Sequence, residues 1–404
     1  MTALDTATLT GGVTAAAGYR AAGVACGIKA NGGPDIALLV SETPASAAAV
    51  FTTNVAQAAP ILVSKEHLAR EGRASAVVVN SGCANACTGA DGLAHARDMT
   101  RLTAAAVGCA PHDVLVASTG VIGVTLPMAK VRRGIELAAA ALAPDGGADA
   151  ARAIMTTDPF PKEAAAEIVT ATGTFRVGGM AKGSGMIEPL MATMLGFVTT
   201  DAQVAPALLQ RALKAAVDDT FNAITVDGEC STNDCVFALA NGASGVLLAE
   251  DDMPLLVGAL KQVCEPLAIA VVRGGEGATK VFTIRVIGAR TVEDARMTAR
   301  AIANSPLVKT AVHGADPNWG RLVAVAGRAT RTLVLDRAKV RIGPVELFAD
   351  GAPHDERAPD AAEYLRRSDV ELEVDLGTGG SGEARMWSCD LTAEYVRINA
   401  DYRT

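Results

Sequence analysis

Residues 182–197 read Lys-Gly-Ser-Gly-Met-Ile-Glu-Pro-Leu-Met-Ala-Thr-Met-Leu-Gly-Phe, with Thr193 directly after the small residue Ala192. A hydroxyl near neutral pH is a weak nucleophile and needs a base within hydrogen-bond reach. Thr193 supplies its own base if the Ala192–Thr193 peptide bond breaks. The freed α-amine has an unperturbed pKa of about 7.7–8.0, suited to taking a proton at physiological pH. An Ala-Thr pair alone carries little weight, because most such pairs sit in ordinary helices and turns. The surrounding sequence has to supply the rest.

The chain has 404 residues, half of them hydrophobic, which is enough for two or three cores. Its formal net charge of -8, with no basic stripe or polybasic run, argues against nucleic acid or an anionic membrane as partner. The N-terminal Met1-Thr2-Ala3-Leu4-Asp5 has neither the basic nor the apolar region of a secretion signal. Uncharged stretches such as Val114–Ala129 are broken by Gly, Ser, Thr and Pro, and none reads as a membrane-spanning helix. The expected location is the cytoplasm.

Eight cysteines and five histidines invite a disulfide or zinc reading. Cys83 and Cys87 are separated by three residues and Cys230 and Cys235 by four, while no neighbouring His completes a tetrahedral set. Small buried thiols in a reducing compartment are the expectation, with structural or surface roles for His67, His95, His112, His313 and His354.

Short β-branched runs alternate with alanine-rich amphipathic segments. Residues 37–40, 76–79, 114–116, 168–170, 268–272, 281–286, 332–335 and 370–374 read as strands. Residues 206–218, 293–303 and 132–142 read as helices, the first opening on a proline whose missing N–H does no harm. The alternation Val370-Glu-Leu-Glu-Val-Asp-Leu predicts a strand with one solvated face. Residues 143–151, with Pro144, Gly146 and Gly147, read as a surface loop or subdomain boundary. The fold class is therefore α/β, in α+β layers with much antiparallel pairing.

Lys182–Ile187 followed by Ala192–Leu195 resembles the self-cleavage segment of the ornithine acetyltransferase family. Eight further stretches match that family in order: Gly23–Lys29, Val50–Asn54, Asn80–Gly89, Ser118–Gly123, Met155–Asp158, Val226–Asp234, Gly275–Lys280 and Asp316–Arg321. The resemblance runs from about Tyr19 to the C-terminus. It implies an αββα sandwich of the self-processing amidohydrolase type with a smaller C-terminal subdomain. It also implies cleavage into an α chain, residues 1–192, and a β chain, residues 193–404, assembling as a heterotetramer of two of each.

The implied reaction moves an acetyl group from N-acetylornithine to glutamate through acetyl-Thr193, within arginine biosynthesis, with no metal or redox cofactor and with acetyl-CoA as an optional co-substrate. Attack on an amide builds an oxyanion whose hydrogen-bond donors must come from another segment. In the family a Thr-Gly pair provides them, here Thr119 and Gly120. The resemblance assigns amino-acid binding to Thr156, Lys182, Thr193, Glu276, Asn399 and Thr404. A lysine suits a carboxylate and a glutamate suits an ammonium group. One departure is visible: many relatives carry Asp where this chain has Gly274 ahead of Gly275-Glu276, which removes a supporting carboxylate.

Two other classes fit parts of the sequence. A self-cleaving aminopeptidase or amidase on a related scaffold uses water as acceptor, but such relatives usually carry Ser at the nucleophile. An uncleaved amino-acid-binding relative has no need of Thr193, Thr119 and Gly120 together. The glycine-containing stretches 82–89 and 274–277 fit neither nucleotide-binding fingerprint.

Overall fold

The structure is a computed structural model that describes residues 6–188 and 194–401. The chain forms two compact units. One runs to Asn222 and resumes over Glu229–Val271; the other comprises Ala223–Gly228 and the chain from Val272 on.

The first unit contains strands β1 (Thr6–Leu9), β2 (Tyr19–Val24), β3 (Ile36–Phe51), β4 (Arg73–Cys83), β5 (Val114–Val121), β6 (Lys162–Thr170), β7 (Gly173–Lys182), β8 (Leu195–Thr200), β9 (Gln203–Val204), β10 (Cys235–Ala240) and β11 (Leu247–Leu248). Its helices are α1 (Ala59–Glu71), α2 (Gly89–Val107), α3 (Met128–Ala140), α4 (Gly147–Ala153), α5 (Pro206–Asp218) and α6 (Met253–Arg273). Hydrogen bonding orders the main sheet β1-β6-β7-β8-β10-β3-β4-β5, with β2 added on β3. The long β3 makes this possible. Its first half lies between β2 and β4, the register breaks between Val40 and Ala45, and its last residues pair with β10. One strand thus serves two layers.

Strand periodicity shows how the layers pack. Ala37, Leu39, Val77, Val79, Leu115 and Ala117 join Met180, Leu195, Phe197, Phe237 and Leu239 in the core between the layers. The alternate residues Ile36, Leu38, Val40, Ala76, Val78, Val114 and Val116 face Val63, Met99, Val131 and Ile135 of helices α1–α3. Strands buried on both faces need no polar alternation, which is why β4 reads as a plain run of alanine and valine. Helix α6 covers the opposite side: a Cβ added to Gly179 of β7 would lie 2.7 Å from Val263. The result is helix, sheet, sheet, helix, the αββα order.

The second, smaller unit holds strands β12 (Val281–Ala289), β13 (Lys339–Ile342), β14 (Val345–Ala349), β15 (Ala352–Pro353), β16 (Asp369–Asp375) and β17 (Gly382–Cys389) in the order β15-β14-β13-β16-β12-β17. Helices α7 (Val292–Ala303), α8 (Pro306–His313) and α9 (Trp319–Ala329) pack on it, and α10 (Ala358–Tyr364) and α11 (Ala393–Asp401) complete it. Val370, Leu372 and Val374 are buried while Glu371 is exposed, as the alternation predicts.

Three local expectations are overturned. Residues 268–272 are not a strand but the last turns of α6, whose buried positions Leu256, Ala259, Leu260, Val263, Cys264, Leu267, Ala268, Val271 and Val272 follow the helical period. The long pattern outweighs a short β-branched run. By length and composition alone α6 could cross a membrane, but half of that stretch is buried inside the protein, and a buried core helix meets the same test. Residues 332–334 have no regular structure and Leu335 starts a short 3-10 turn. Residues 143–151 are not a plain loop: α4 begins at Gly147 and buries Ala150 and Ala151, and a Cβ on Gly146 would meet the Ala21 carbonyl oxygen at 1.9 Å.

Candidate functional site

Ser118, Thr119 and Gly120 lie near the end of β5, paired in parallel with Asn80, Ser81 and Gly82 of β4. The Ser118 hydroxyl is committed to structure, donating to Asn80 Oδ1 at 2.6 Å. Asn80 Nδ2 donates in turn to the Cys83 carbonyl at 2.8 Å, and Asn233 Nδ2 holds the Ser118 and Ala84 carbonyls at 2.9 and 2.6 Å. These contacts fix the backbone at the turn and leave Thr119 for other work. Gly120 has φ +127, and a Cβ there would lie 2.4 Å from the Gly82 carbonyl carbon. No other residue fits without moving β4.

Lys182, the last residue of β7, is buried, and its Nζ donates to Thr119 Oγ1 at 3.4 Å. Strands β7 and β5 lie far apart in the hydrogen-bonding order; the bend in β3 folds one layer over the other and brings them together. A hydroxyl that accepts from an ammonium group keeps its own hydrogen to donate elsewhere. Lys182 also pairs in register with Leu195, the first residue of β8, and the Cys235 N–H donates to the Met194 carbonyl at 3.3 Å. Ala192 and Thr193 themselves lie outside the described residues, as does Thr404.

Asp158 connects this corner to Thr156. Its Oδ1 accepts from Lys162 Nζ at 2.6 Å and from the Gly183 N–H at 2.7 Å; Oδ2 accepts from the Thr156 N–H at 3.0 Å. Burial alone pushes this carboxyl up, but Lys182, Lys162 and the hydrogen bonds outweigh it and hold the pKa at about 2. Thr156 and Lys182, separate candidates in the sequence, are thereby tied to one carboxylate. Sequence reasoning included Asp158, Asn80 and Asn233 in matching stretches but gave none of them a role.

Other matching stretches clasp one another. Thr52 Oγ1 donates to the Ser231 carbonyl at 2.8 Å and Asn54 Nδ2 to the Cys230 carbonyl at 3.0 Å, so Val50–Asn54 holds the Val226–Asp234 stretch in front of β10. In the second unit, Asn399 Nδ2 on α11 donates to the buried Glu276 Oε2 at 2.7 Å. A Cβ on Gly277, at φ +71, would lie 2.6 Å from the Tyr395 nitrogen, so the glycine lets that loop seat against α11. Asn399 stands on a helix, not in a frayed tail. The Asp316–Arg321 stretch caps α9 through Asn318 and stacks Trp319 on Phe348 at 5.0 Å.

All eight cysteines are free, but only Cys83, Cys235, Cys264 and Cys389 are buried; Cys87 is exposed and the others half-buried, which corrects the expectation of uniformly buried thiols. His67 bonds the Val114 carbonyl and His313 bonds Asp390, both at 2.8 Å. Among the described residues no three His, Cys, Asp or Glu side chains group as a metal site.

Comparison with known proteins places these features in context. The model of the ArgJ family matches residues 20–404. The arginine biosynthesis bifunctional protein ArgJ of Symbiobacterium thermophilum is 51% identical over 403 residues, covering 98% of this chain and 99% of its own length. Its counterpart in a Synechococcus species is 48% identical, covering 98% of each. Among solved structures, ornithine acetyltransferase from Mycobacterium tuberculosis complexed with ornithine is similar at 44% identity and a TM-score of 0.43, over 46% of this chain and 98% of that chain.

Proposed function

The chain belongs to the ArgJ family of bifunctional arginine-biosynthesis proteins, and from that membership we propose that it transfers acetyl from N-acetylornithine to glutamate after cutting itself at Ala192–Thr193. In maturation Thr193 Oγ attacks the Ala192 carbonyl, an N-to-O shift gives an ester, and water releases chains 1–192 and 193–404. In turnover the Thr193 α-amine takes the proton from Oγ as Oγ attacks the acetyl carbonyl carbon. Thr119 Oγ1 and the Gly120 N–H stabilise the oxyanion, the C–N bond breaks, and ornithine leaves with the proton from the α-ammonium group. Glutamate's amine then attacks acetyl-Thr193 by the reverse sequence. Thr156, Lys182, Glu276, Asn399 and Thr404 are assigned to amino-acid recognition. The scheme draws on no metal or redox cofactor, and places the enzyme in the cytoplasm as a heterotetramer of two α and two β chains.

The observation that supports this reading most is the placement of Lys182: its ammonium touches Thr119 while its backbone pairs with Leu195, two residues past the proposed nucleophile. The reading requires ping-pong kinetics. Double-reciprocal plots at several glutamate concentrations should be parallel, and N-acetylornithine alone should leave an acetylated peptide containing Thr193. Intersecting lines with no such peptide would sink it. Acetyl-CoA, run in the same assay, is expected to be the much poorer donor, because the assigned residues suit a small charged amino acid. Comparable kcat/KM for the two donors would overturn that preference alone.

A third measurement isolates the oxyanion. Thr119→Ala removes one donor to a charge that exists only in the transition state, so kcat should fall by about 10²-fold with KM changing much less. A change confined to KM would move Thr119 to ground-state binding.

A further inference from the structure

Lys29 closes the Gly23–Lys29 stretch, and neither the fold nor the proposed reaction gives it a task. The structure nevertheless holds it firmly. The buried Asp35 carboxylate accepts the backbone N–H groups of Cys26, Gly27, Ile28 and Lys29 at 2.7, 3.0, 2.6 and 3.1 Å, which rigidifies the turn carrying the side chain. The aliphatic stem then crosses Gly82, the β4 partner of Gly120. A Cβ on Gly82, which has φ +98, would lie 3.1 Å from Lys29 Cγ. The missing side chain at Gly82 is the channel through which Lys29 runs beside the Thr119–Gly120 turn.

Its ammonium lies among other charged groups. Lys29, Lys162 and Lys182 are three ammonium groups that share the field of two carboxylates, Asp35 and Asp158. Asp158 is bonded to Lys162 and two backbone N–H groups, and Asp35 to four N–H groups. Lys29 and Lys182 reach only neutral oxygens among the described residues: the Pro34 carbonyl at 2.6 Å and Thr119 Oγ1 at 3.4 Å. Burial, with Lys182 nearby, brings the Lys29 ammonium down to about 8 against the pull of Asp35 and Asp158. Two ammonium groups at one corner, each bonded only to a neutral oxygen, fit a ligand carrying carboxylates.

Resting on the acetyl-transfer reading above, we propose that Lys29 is a specificity-determining residue that binds the side-chain carboxylate of the acyl acceptor, leaving Lys182 to the α-carboxylate that donor and acceptor share. The donor's side chain ends in an ammonium group and gains nothing from Lys29; glutamate does.

The test uses the processed enzyme and compares glutamate with glutamine, its neutral isostere, as acceptor from N-acetylornithine. Lys29→Met should lower kcat/KM for glutamate relative to glutamine by about 10-fold or more, the scale of one lost charge-assisted hydrogen bond. Ornithine release without acceptor should stay within about twofold of wild type, and Lys29→Arg should keep the preference for glutamate. Lys29→Gln at this half-buried position gives the same ratio by an independent route. An unchanged glutamate-to-glutamine ratio in both neutral variants, or an equal loss in the donor half-reaction, overturns the assignment. Wild-type enzyme unable to acetylate glutamate defeats the underlying reading instead.

Discussion

Thr193→Ala should run as one chain of 404 residues in denaturing gels and mass spectra and should transfer no acetyl group, whereas wild type should give a fragment beginning at Thr193. The substitution removes the nucleophile of both proposed steps, so no residual route remains through this residue. Thr193→Ser keeps a hydroxyl and is expected to cleave, more slowly, because its χ1 is less restricted than that of the β-branched threonine. Intact wild-type protein with full activity would falsify self-cleavage as a requirement. The sheet adds a further expectation. β7 precedes the proposed cut and β8 follows it, yet they pair over six register positions, and β8 and β10 sit between β7 and β3. Breaking one peptide bond leaves those hydrogen bonds and the core between the layers intact. The two fragments should therefore co-elute from a sizing column without denaturant.

Asp158→Asn should lower stability by about 3–5 kcal/mol, the range for removing one partner of a buried ion pair. Both side chains of the Asp158–Lys162 pair are fully shielded from solvent, so the variant strands an ammonium group in the interior. Asp158→Asn/Lys162→Met removes both charges and should recover most of the loss in a denaturant melt. If the single variant melts like wild type, the pair contributes nothing. The pH dependence has a definite sign. The folded carboxyl titrates at about 2, below the value of about 3.9 for an unfolded aspartate, so its contribution is complete above about pH 4 and is lost as the pH falls towards 2. Wild type should lose stability relative to the double variant across that interval.

Local pattern carried a good part of the fold. The helices at 206–218 and 293–303 and the strands at 37–40, 76–79, 114–116, 281–286 and 370–374 all lie in elements of the expected type, because side-chain periodicity and a proline at a helix start are properties of neighbours in sequence. The same kind of information failed at 268–272, where five residues cannot distinguish a buried strand from the end of a long buried helix, and at 147–153, where glycine hides a helix whose alanines are buried by close approach.

The site divides along the same line. The sequence by itself determined which residue types are present and the order of the stretches that mark the family, and with them Thr119, Gly120, Thr156, Lys182, Glu276 and Asn399 as candidates. Only the tertiary structure decided that Lys182 meets Thr119 across 63 residues, that one Asp158 carboxylate ties Thr156 to Gly183, and that Lys29 crosses Gly82 beside the same turn. Periodicity records which face of an element is buried, but not which distant strand will lie over it. That was set by the bend in β3, where one strand leaves one layer for the other and folds the two ends of a single sheet onto each other.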